Sequence, residues 1–394
     1  MWQLSGFDDI DFHRKITRIM KKIAIIGASA LQNPLILKAK SMGLETHVFA
    51  WAAGDIGEKT ADYFYPVSIV EKEQILSVCR KIGIHGICSI ASDLAMLTVN
   101  YVADAMGLVG NSPECTQLST NKASMREAFA KCGDPSPEFF FIRQGDDPNE
   151  SAFREQITKL HFPVIVKPVD RSGSRGVTLV ADKAELLPAI EHARIQGFSG
   201  DVIIESFVHG KEYSVECLSC RGVHTLLQIT EKFTTGTPHF IETGHKEPAL
   251  LPPEIRQKAE DIVLHALCSL KVTNGASHTE IRIDEDGTIM LIEVGARMGG
   301  DFIGSHLLPI TCGFDYVKAV IDISLGEIVR PRVSCTGRQA SVRYILTKED
   351  LTEYERILRE DPDSIVHSEI HSEVSTAVTD SSNRHGFWIR AYLL

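Results

Sequence analysis

An α/β fold joined to an α+β one is what this sequence predicts: a parallel sheet flanked by helices, then a two-lobed unit, then a small α+β tail. Three observations carry the prediction. Residues 22–110 alternate apolar strand-like runs with helical stretches, the pattern of a parallel sheet covered on both faces. After the turn-rich Gly133-Asp134-Pro135-Ser136-Pro137, short alternating strands and a hairpin signal take over. The 394 residues, 43% hydrophobic and 24% charged, are ordinary globular values and suffice for two or three domains with real cores.

The elements follow in order. Residues 1–20 mix Asp8, Asp9, Asp11, His13, Arg14 and Lys15 without an apolar core, so they read as a disordered extension and not as a signal peptide. Ile23 to Ile26 forms a first strand that stops at Gly27-Ala28-Ser29, and a helix from Pro34 to Met42 follows. Next come a strand from Thr46 to Ala50, a helix from Glu71 to Ile82, an apolar run from Ile84 to Ile90 and a helix after Asp93. Gly27-Ala28-Ser29 lacks the full dinucleotide fingerprint, and no acidic residue ends the second strand. A substrate-contacting loop is the expectation there instead of NAD binding, because ligands favour the carboxyl ends of such strands.

Asn111-Ser112-Pro113 and a helix holding Lys122, Met125 and Phe129 mark a change of domain. Short strands are expected at Phe139 to Ile142, Val164 to Lys167, Val177 to Val180 and Val202 to Ile204. Antiparallel strands in 211–230 and 277–295 flank a helix from Pro253 to Leu270. The tail offers one amphipathic helix, Lys348 to Arg359, and two or three strands. The expected divisions are 1–20, 21–118, 119–330 and 331–394, with no internal repeat.

A net charge of −11 argues against a general nucleic-acid binder, though a local cluster of lysines can still attract an anionic nucleotide. Nine cysteines, spread widely, read as reduced thiols in a cytoplasmic protein. Cys217 and Cys220 have metal-type spacing, but a zinc site would need a second such pair. No run approaches the about 18 apolar residues of a membrane span.

The chemistry gathers around an ordered series: Lys122, Lys167, the small-residue loop Ser172-Gly173-Ser174-Arg175-Gly176, then Glu280, Glu293 and Arg297. It reads as two cations for phosphates, a backbone cradle, two carboxylates for Mg²⁺ and an arginine for transferred charge. Thr279, Ile281 and Ile283 alternate with His278, Glu280 and Arg282, as a strand does. Asp286-Gly287 is a strong hairpin signal. A two-residue turn there sets Glu280 opposite Glu293, with Cβ atoms roughly 5 Å apart. Opposed carboxylates repel unless a cation lies between them, and Mg²⁺ takes one or two carboxylates plus phosphates. The plain alternative is a solvated acidic hairpin, and a one-residue slip would separate the two faces.

Lys167 ends the apolar run Val164-Ile165-Val166, and Pro168 closes it. Ser172 to Gly176 can bare backbone N–H groups to an anion, but it is no Walker loop, since a strand follows it. A strand–loop–strand lid over phosphates fits better, against a plain mobile hairpin. Glu205-Ser206-Phe207-Val208 leaves its strand at an acid and can offer backbone groups to an adenine edge. Glu212 can then accept from ribose hydroxyls.

With these pieces in place, residues 22–330 resemble the ATP-grasp ligases, the superfamily of biotin carboxylase, D-alanine–D-alanine ligase and bacterial amino-acid ligases. The matching pieces are Lys122, Val166-Lys167-Pro168, Ser172 to Gly176, Glu205 to Val208, Glu212, Glu280 and the run from Glu293 to Gly300. The resemblance implies an N-terminal pre-ATP-grasp domain and a two-lobed ATP-grasp domain. It implies ATP bound through Lys122, Lys167, Ser172, Gly173, Ser174, Gly176, Glu205, Ser206, Phe207, Val208 and Glu212. Glu280 and Glu293 would take Mg²⁺, with Mn²⁺ an alternative ion. Arg297 would stabilise the phosphoryl group and, with Lys167, serve catalysis. Many members carry asparagine two residues after the second metal glutamate; this chain has Gly295, which removes that ligand. Gly295 followed by Arg297-Met298-Gly299-Gly300-Asp301, with the tail around Asn383 to Gly386, is most similar to the amino-acid-ligase branch.

The implied reaction phosphorylates a carboxylate to an acyl phosphate, which an amine attacks to give an amide, ADP and phosphate. Small carboxylates and amines, amino acids foremost, are the expected partners, with no nucleic acid and no membrane; a homodimer stays open. Substrate identity should lie in 231–248 and after Gly299, where His239, Glu242 and His245 either recognise substrate or are ordinary loop residues. The rivals are another ATP-grasp ligation, of carboxyphosphate or purine-pathway type, and a non-catalytic ATP sensor.

Overall fold

Alternation within the first 110 residues builds the first sheet. In the computed structural model, which describes residues 20–147, 161–237, 240–371, 373, 374, 378 and 381–394 with Glu155 and Lys159, four parallel strands pair in the order β3-β2-β1-β4. They are β1 (Lys22–Ile26), β2 (Glu45–Ala50), β3 (Tyr63–Pro66) and β4 (Gly86–Cys88). The helices are α1 (Asn33–Ser41), α2 (Ile56–Thr60), α3 (Lys72–Ile82) and α4 (Asp93–Met106). Successive residues of a strand point to opposite faces. Ile23 and Ile25 accordingly enter one core with Leu35, Ile36 and Ala39 of α1, while Ala24 and Ile26 enter another with α3 and α4. The expected disordered extension lies outside the described residues apart from Met20, and β3 is a half-exposed edge strand that the sequence reading passes over.

Two short helices, α5 (Pro113–Thr120) and α6 (Lys122–Cys132), lead into the second sheet. Its strands β5 (Phe139–Ile142), β6 (Val164–Pro168), β7 (Thr178–Val180) and β8 (Val202–Ser206) run in the order β5-β8-β6-β7, all antiparallel. Helix α7 (Leu186–Gln196) covers it with Leu186, Ala189, Ile190 and Ala193, forming a core separate from the rest.

The third sheet has eight strands in the order β13-β12-β9-β10-β11-β14-β16-β15. These are β9 (Lys211–Cys220), β10 (Val223–Thr234), β11 (Glu242–Glu247), β12 (Gly275–Ile283), β13 (Ile289–Gly295), β14 (Arg338–Ile345), β15 (Ile365–Ile370) and β16 (Gly386–Leu393). The tail beyond residue 330 thus continues the sheet through the β11–β14 pairing. Helix α8 (Pro253–Ser269) packs Ala259, Val263 and Ala266 against one face. After α9 (Leu308–Cys312), α10 (Tyr316–Ser324) wedges between the eight-stranded sheet and the parallel one, so a single core joins Ile23, Leu218 and Ile321. Helix α11 (Lys348–Glu360), started by a Thr347 capping box, lies over the far end of the sheet.

Cys217 and Cys220 lie three apart on β9, so they face opposite ways and enter different cores. They cannot share a metal ion.

Candidate active site

The hairpin of β12 and β13 places the acidic pair. Glu280 stands opposite Glu293, as expected, but by a different route. The loop holds three residues, Glu285 to Gly287, with Gly287 at φ 76° and its N–H donating to Asp284 O at 3.2 Å. That register puts Ile289 and Leu291, not Met290 and Ile292, into the core beside Ile281 and Ile283. A bulge then inserts Ile292 between Leu291 and Glu293 and restores the opposition of the glutamates. Ile292 and Glu293 consequently both line one cavity, while Val294 returns to the core.

That cavity lies between the second and third sheets. It collects Lys122, Lys167, Ser172, Gly173, Ser174, Glu205, Ser206, Phe207, Val208, Glu212, Glu280, Glu293 and Arg297. Gly176 sits just beyond its rim, at φ 73°, where a Cβ would meet Gln196 Cβ at 2.8 Å and Pro168 Cγ at 3.0 Å. Gly173 and Ser174 are also left-handed, so the loop from β6 turns tightly and hairpins back as β7.

Buried charges brace one another here. Lys167 Nζ is 2.7 Å and Arg126 Nε 2.9 Å from the Glu205 carboxylate, which is only 3% exposed. Burial would raise the Glu205 carboxyl, but the two cations outweigh it and hold it below its usual range. The Glu205 carboxylate therefore fixes Lys167, a role apart from the backbone groups that its segment was expected to offer an adenine edge. Lys122 reaches Glu293 at 2.8 Å and Arg171 O at 2.7 Å. Arg282 donates to Val208 O and Glu212 and lies 4.9 Å from the Phe207 ring centre, so the Val208 carbonyl already accepts one hydrogen bond.

Lys232 escapes sequence reading. Its side chain, 9% exposed, lies 2.9 Å from Glu280, 3.5 Å from Glu242 and 3.6 Å from Glu212. Burial disfavours its charge, but the three carboxylates outweigh that and raise its pKa. The same attraction, with His278, holds the Glu280 carboxyl well below its usual range against burial. His278 in turn bonds to fully buried Glu216, which counters burial and lifts the imidazole to about 9. A strand lysine is usually solvated, and only the sheet order places this one opposite Glu212.

Arg297 meets Asp93 side-on, Nε to Oδ1 at 2.8 Å and Nη2 to Oδ2 at 2.7 Å. Arg297, expected to stabilise the phosphoryl group, is therefore half-committed to an acid from the first turn of α4. Gly27-Ala28-Ser29 does not line the cavity; Ser29 bonds to Gln32, whose Nε2 donates to Ile90 O at 2.8 Å and braces the loop before Asp93.

Beside Glu280, a second polar cluster links the tail to the cavity. Arg384 pairs with Glu242 at 2.9 Å and Asp301 at 3.1 Å, stacks 3.7 Å above the Tyr344 ring, and leaves Asp301 to meet His245 at 3.2 Å. Glu242 and His245 are thus drawn together by Asp301 and Arg384, two residues of the branch-like runs whose pairing with them the sequence does not show; His239 lies outside the described residues.

With this geometry, residues 160–305 match the ATP-grasp domain model, and the chain carries that domain in an ATP-grasp fold. Its likeness runs to C–N ligases. Alanine–anticapsin ligase of Bacillus subtilis (strain 168) is 26% identical over 294 residues, 68% of this chain and 58% of the relative. The crystal structure of an L-amino acid ligase from Bacillus licheniformis superposes with a TM-score of 0.76 at 24% identity, covering 95% of this chain and 94% of the other. A phosphoribosylglycinamide synthetase from Anaerococcus prevotii gives 0.74 at 19% identity, covering 95% and 94%, so the overall shape speaks for the fold alone. The chain spans between 50% and 64% of the length of the first curated relatives it matches. Among the described residues no helix is long and apolar enough to cross a membrane.

Proposed function

We propose that the protein is an ATP-dependent carboxylate–amine ligase that joins an amino acid or similar small carboxylate to an amine through an acyl phosphate, releasing ADP and phosphate. The observation that carries this reading is the opposition of Glu280 and Glu293 across one cavity that also holds Lys122, Lys167 and the Ser172–Gly176 loop.

The donor set suits a magnesium nucleotide. Two carboxylates on adjacent strands are hard oxygen ligands, and the left-handed turn at Gly173-Ser174 can aim backbone N–H groups at phosphate. Glu280 and Glu293 would hold the ion, which when bound neutralises the polyphosphate charge and draws electrons from the transferred phosphoryl group. Lys167, locked by Glu205, and Lys122 present fixed ammonium groups to phosphate oxygens. Preorganised charge of this kind costs no rearrangement at the moment of reaction. Phe207, Val208 and Ile292 supply apolar walls for a base, and Glu212 has lone pairs left for ribose hydroxyls beyond those used by Arg282 and Lys232. The β6–β7 loop, closing from above, would exclude water from the activated carboxyl.

The cluster of Glu242, His245, Asp301 and Arg384 alternates charge within a few ångströms, as recognition of a zwitterion requires. It favours an amino-acid substrate over bicarbonate, whose ligation would need no carboxylates there.

The deciding experiment is phosphate release from Mg²⁺-ATP with amino acids singly and in pairs, and mass spectrometry of the products. Release that depends on particular amino acids and yields an amide supports the ligase. Release that depends on bicarbonate moves the reading to carboxyphosphate chemistry, and bound ATP without turnover leaves a sensor.

A further inference from the structure

We propose that Asp93, supplied by the N-terminal α/β unit, is the positioning residue of Arg297, and that position 295 is glycine because the Asp93 carboxylate fills the space a side chain would need. For its kinetic readout the proposal rests on the ligase reading.

Arginine has five N–H donors. Two go side-on to Asp93 at 2.8 and 2.7 Å, and one Nη1 hydrogen reaches Met298 O at 3.4 Å. Two donors stay uncommitted among the described residues, and Arg297 borders the cavity beside Glu293 and Glu280. A side-on carboxylate fixes the guanidinium plane at its Nε edge and leaves the opposite end for an anion. Such planar geometry is what separates an oriented arginine from a mobile point charge.

Asp93 is itself held. Ser92 caps α4 by accepting from Ala95 N at 3.2 Å, and Ala91, at φ 58°, donates its N–H to Met298 O at 3.1 Å. The loop 91–93 therefore clasps the segment 295–298 at two points, by backbone and by side chain. Gly295 completes the fit: a Cβ there would stand 2.8 Å from Asp93 Oδ1 and 3.1 Å from Arg297 Cζ. The next glycine serves a parallel contact, since a Cβ on Gly299 would stand 2.6 Å from Glu216 Oε1 and the Gly299 N–H donates to Glu216 Oε2 at 3.2 Å. Each glycine flanking Arg297 makes room for an acid reaching in from elsewhere.

The rival is a simple docking pair between two units of the fold. It would cost stability when removed, without singling out one kinetic step.

The test compares Asp93→Asn, Asp93→Ala, Gly295→Ala and the Asp93→Ala/Gly295→Ala double variant in the full chain, each checked for an unaltered melting profile. Asp93→Ala should lower kcat about 100-fold while the KM for ATP stays within about twofold, because a small misplacement of a catalytic group costs that much. Asp93→Asn, which keeps the shape but loses the charge, should fall between. Gly295→Ala should cost as much as Asp93→Ala, and the double variant no more than either, the signature of one shared contact. An unchanged kcat in folded Asp93→Ala, or additive losses, overturns the proposal. The second readout needs no turnover: an arginine-specific dicarbonyl reagent, followed by mass spectrometry at Arg297. Loss of Asp93 should speed modification at least about tenfold, by removing the charge-assisted pair. A rate indifferent to Asp93 sinks the proposal; a wild-type protein that makes no amide yet shows the Asp93-dependent rate sinks only the ligase reading.

Discussion

Glu280 and Glu293 each have a lysine at hydrogen-bond distance, Lys232 and Lys122, so neither mutation acts on the metal alone. Glu293→Gln keeps the shape and loses one ligand charge; Mg²⁺-dependent nucleotide binding should weaken about tenfold or more, since carboxylate count sets such affinities. Titration calorimetry with a non-hydrolysable ATP analogue reads it, and unchanged affinity would discredit the hairpin as the metal site. Arg297→Ala should abolish turnover while that analogue still binds, separating catalysis from binding in one variant. A different residue contributes to the pH dependence of stability. Glu247 is fully buried, and burial lifts its carboxyl to about 8, although Thr311 and Thr230 donate to it and pull it down. The folded protein then holds a proton that the unfolded chain, near its ordinary 4.5, releases earlier. Stability from this group is complete below pH 4.5 and drains away as pH rises toward about 8. Glu247→Gln mimics the protonated form, with the threonine hydroxyl at its amide nitrogen turning to accept. Melting curves at rising pH should show the variant gaining on wild type across that window, by up to a few kcal/mol; parallel curves would mean that Glu247 is charged in the fold.

The hairpin of β12 and β13 shows what periodicity conveys and what it hides. Alternation located both strands, and the pairing of Glu280 with Glu293 was legible from them. The bulge at Ile292 was not, because an inserted residue leaves no mark on composition and a three-residue loop around Asp286-Gly287 reads like a two-residue one. The omission matters to function, for the bulge turns Ile292 toward the cavity and presents its carbonyl to Arg126 Nη2 at 2.5 Å. Ile292→Ala removes apolar wall without touching that carbonyl, so the KM for ATP should rise about five- to twentyfold, the range expected for deleting buried methylenes, with kcat nearly kept. A fall in kcat with KM unchanged would place Ile292 elsewhere than against the base. The charged braces were hidden for another reason. Asp93 opens a helix, where an acid is already explained by the dipole, and its partner is 204 residues away. Arg126 and Lys232 read as surface cations until sheet order buries them against Glu205 and Glu280.

Across the whole molecule, contiguous stretches of sequence are poor guides to contiguous cores. Most of the expected strands and helices form in order from residue 22 onward, though β3, α7 and β11 were passed over; the unforeseen helix α10 fills the face of the first sheet, and the last three strands extend the third. Periodicity marks which face of an element is apolar but not which distant element covers it. Truncation after residue 330 would therefore strip β14, β15 and β16 from an eight-stranded sheet and bare Leu307 and its neighbours. The second sheet differs. Its core of Ile142, Val164, Val180, Ile190 and Ile204 is its own, and the chain enters and leaves at one point, where Ser206 N–H meets Glu138 O at 2.9 Å. A small apolar patch of Ala123, Val169 and Ile203 ties it to α6, with the Lys122 N–H to Val169 O bond, the Lys122 Nζ to Arg171 O bond and the Arg126–Glu205 pair. Replacing residues 139–205 by a short glycine–serine turn should leave a folded, soluble remainder, because the ends already lie within a hydrogen bond of each other. It should lose nucleotide binding entirely, since Lys167 and the Ser172–Gly176 loop leave with the lobe. A remainder that melts cooperatively but ignores ATP supports a hinged lobe closing over the nucleotide. A remainder that aggregates would show that the lobe's contact with α6 is part of the main core, and closure would then have to come from the β6–β7 loop alone.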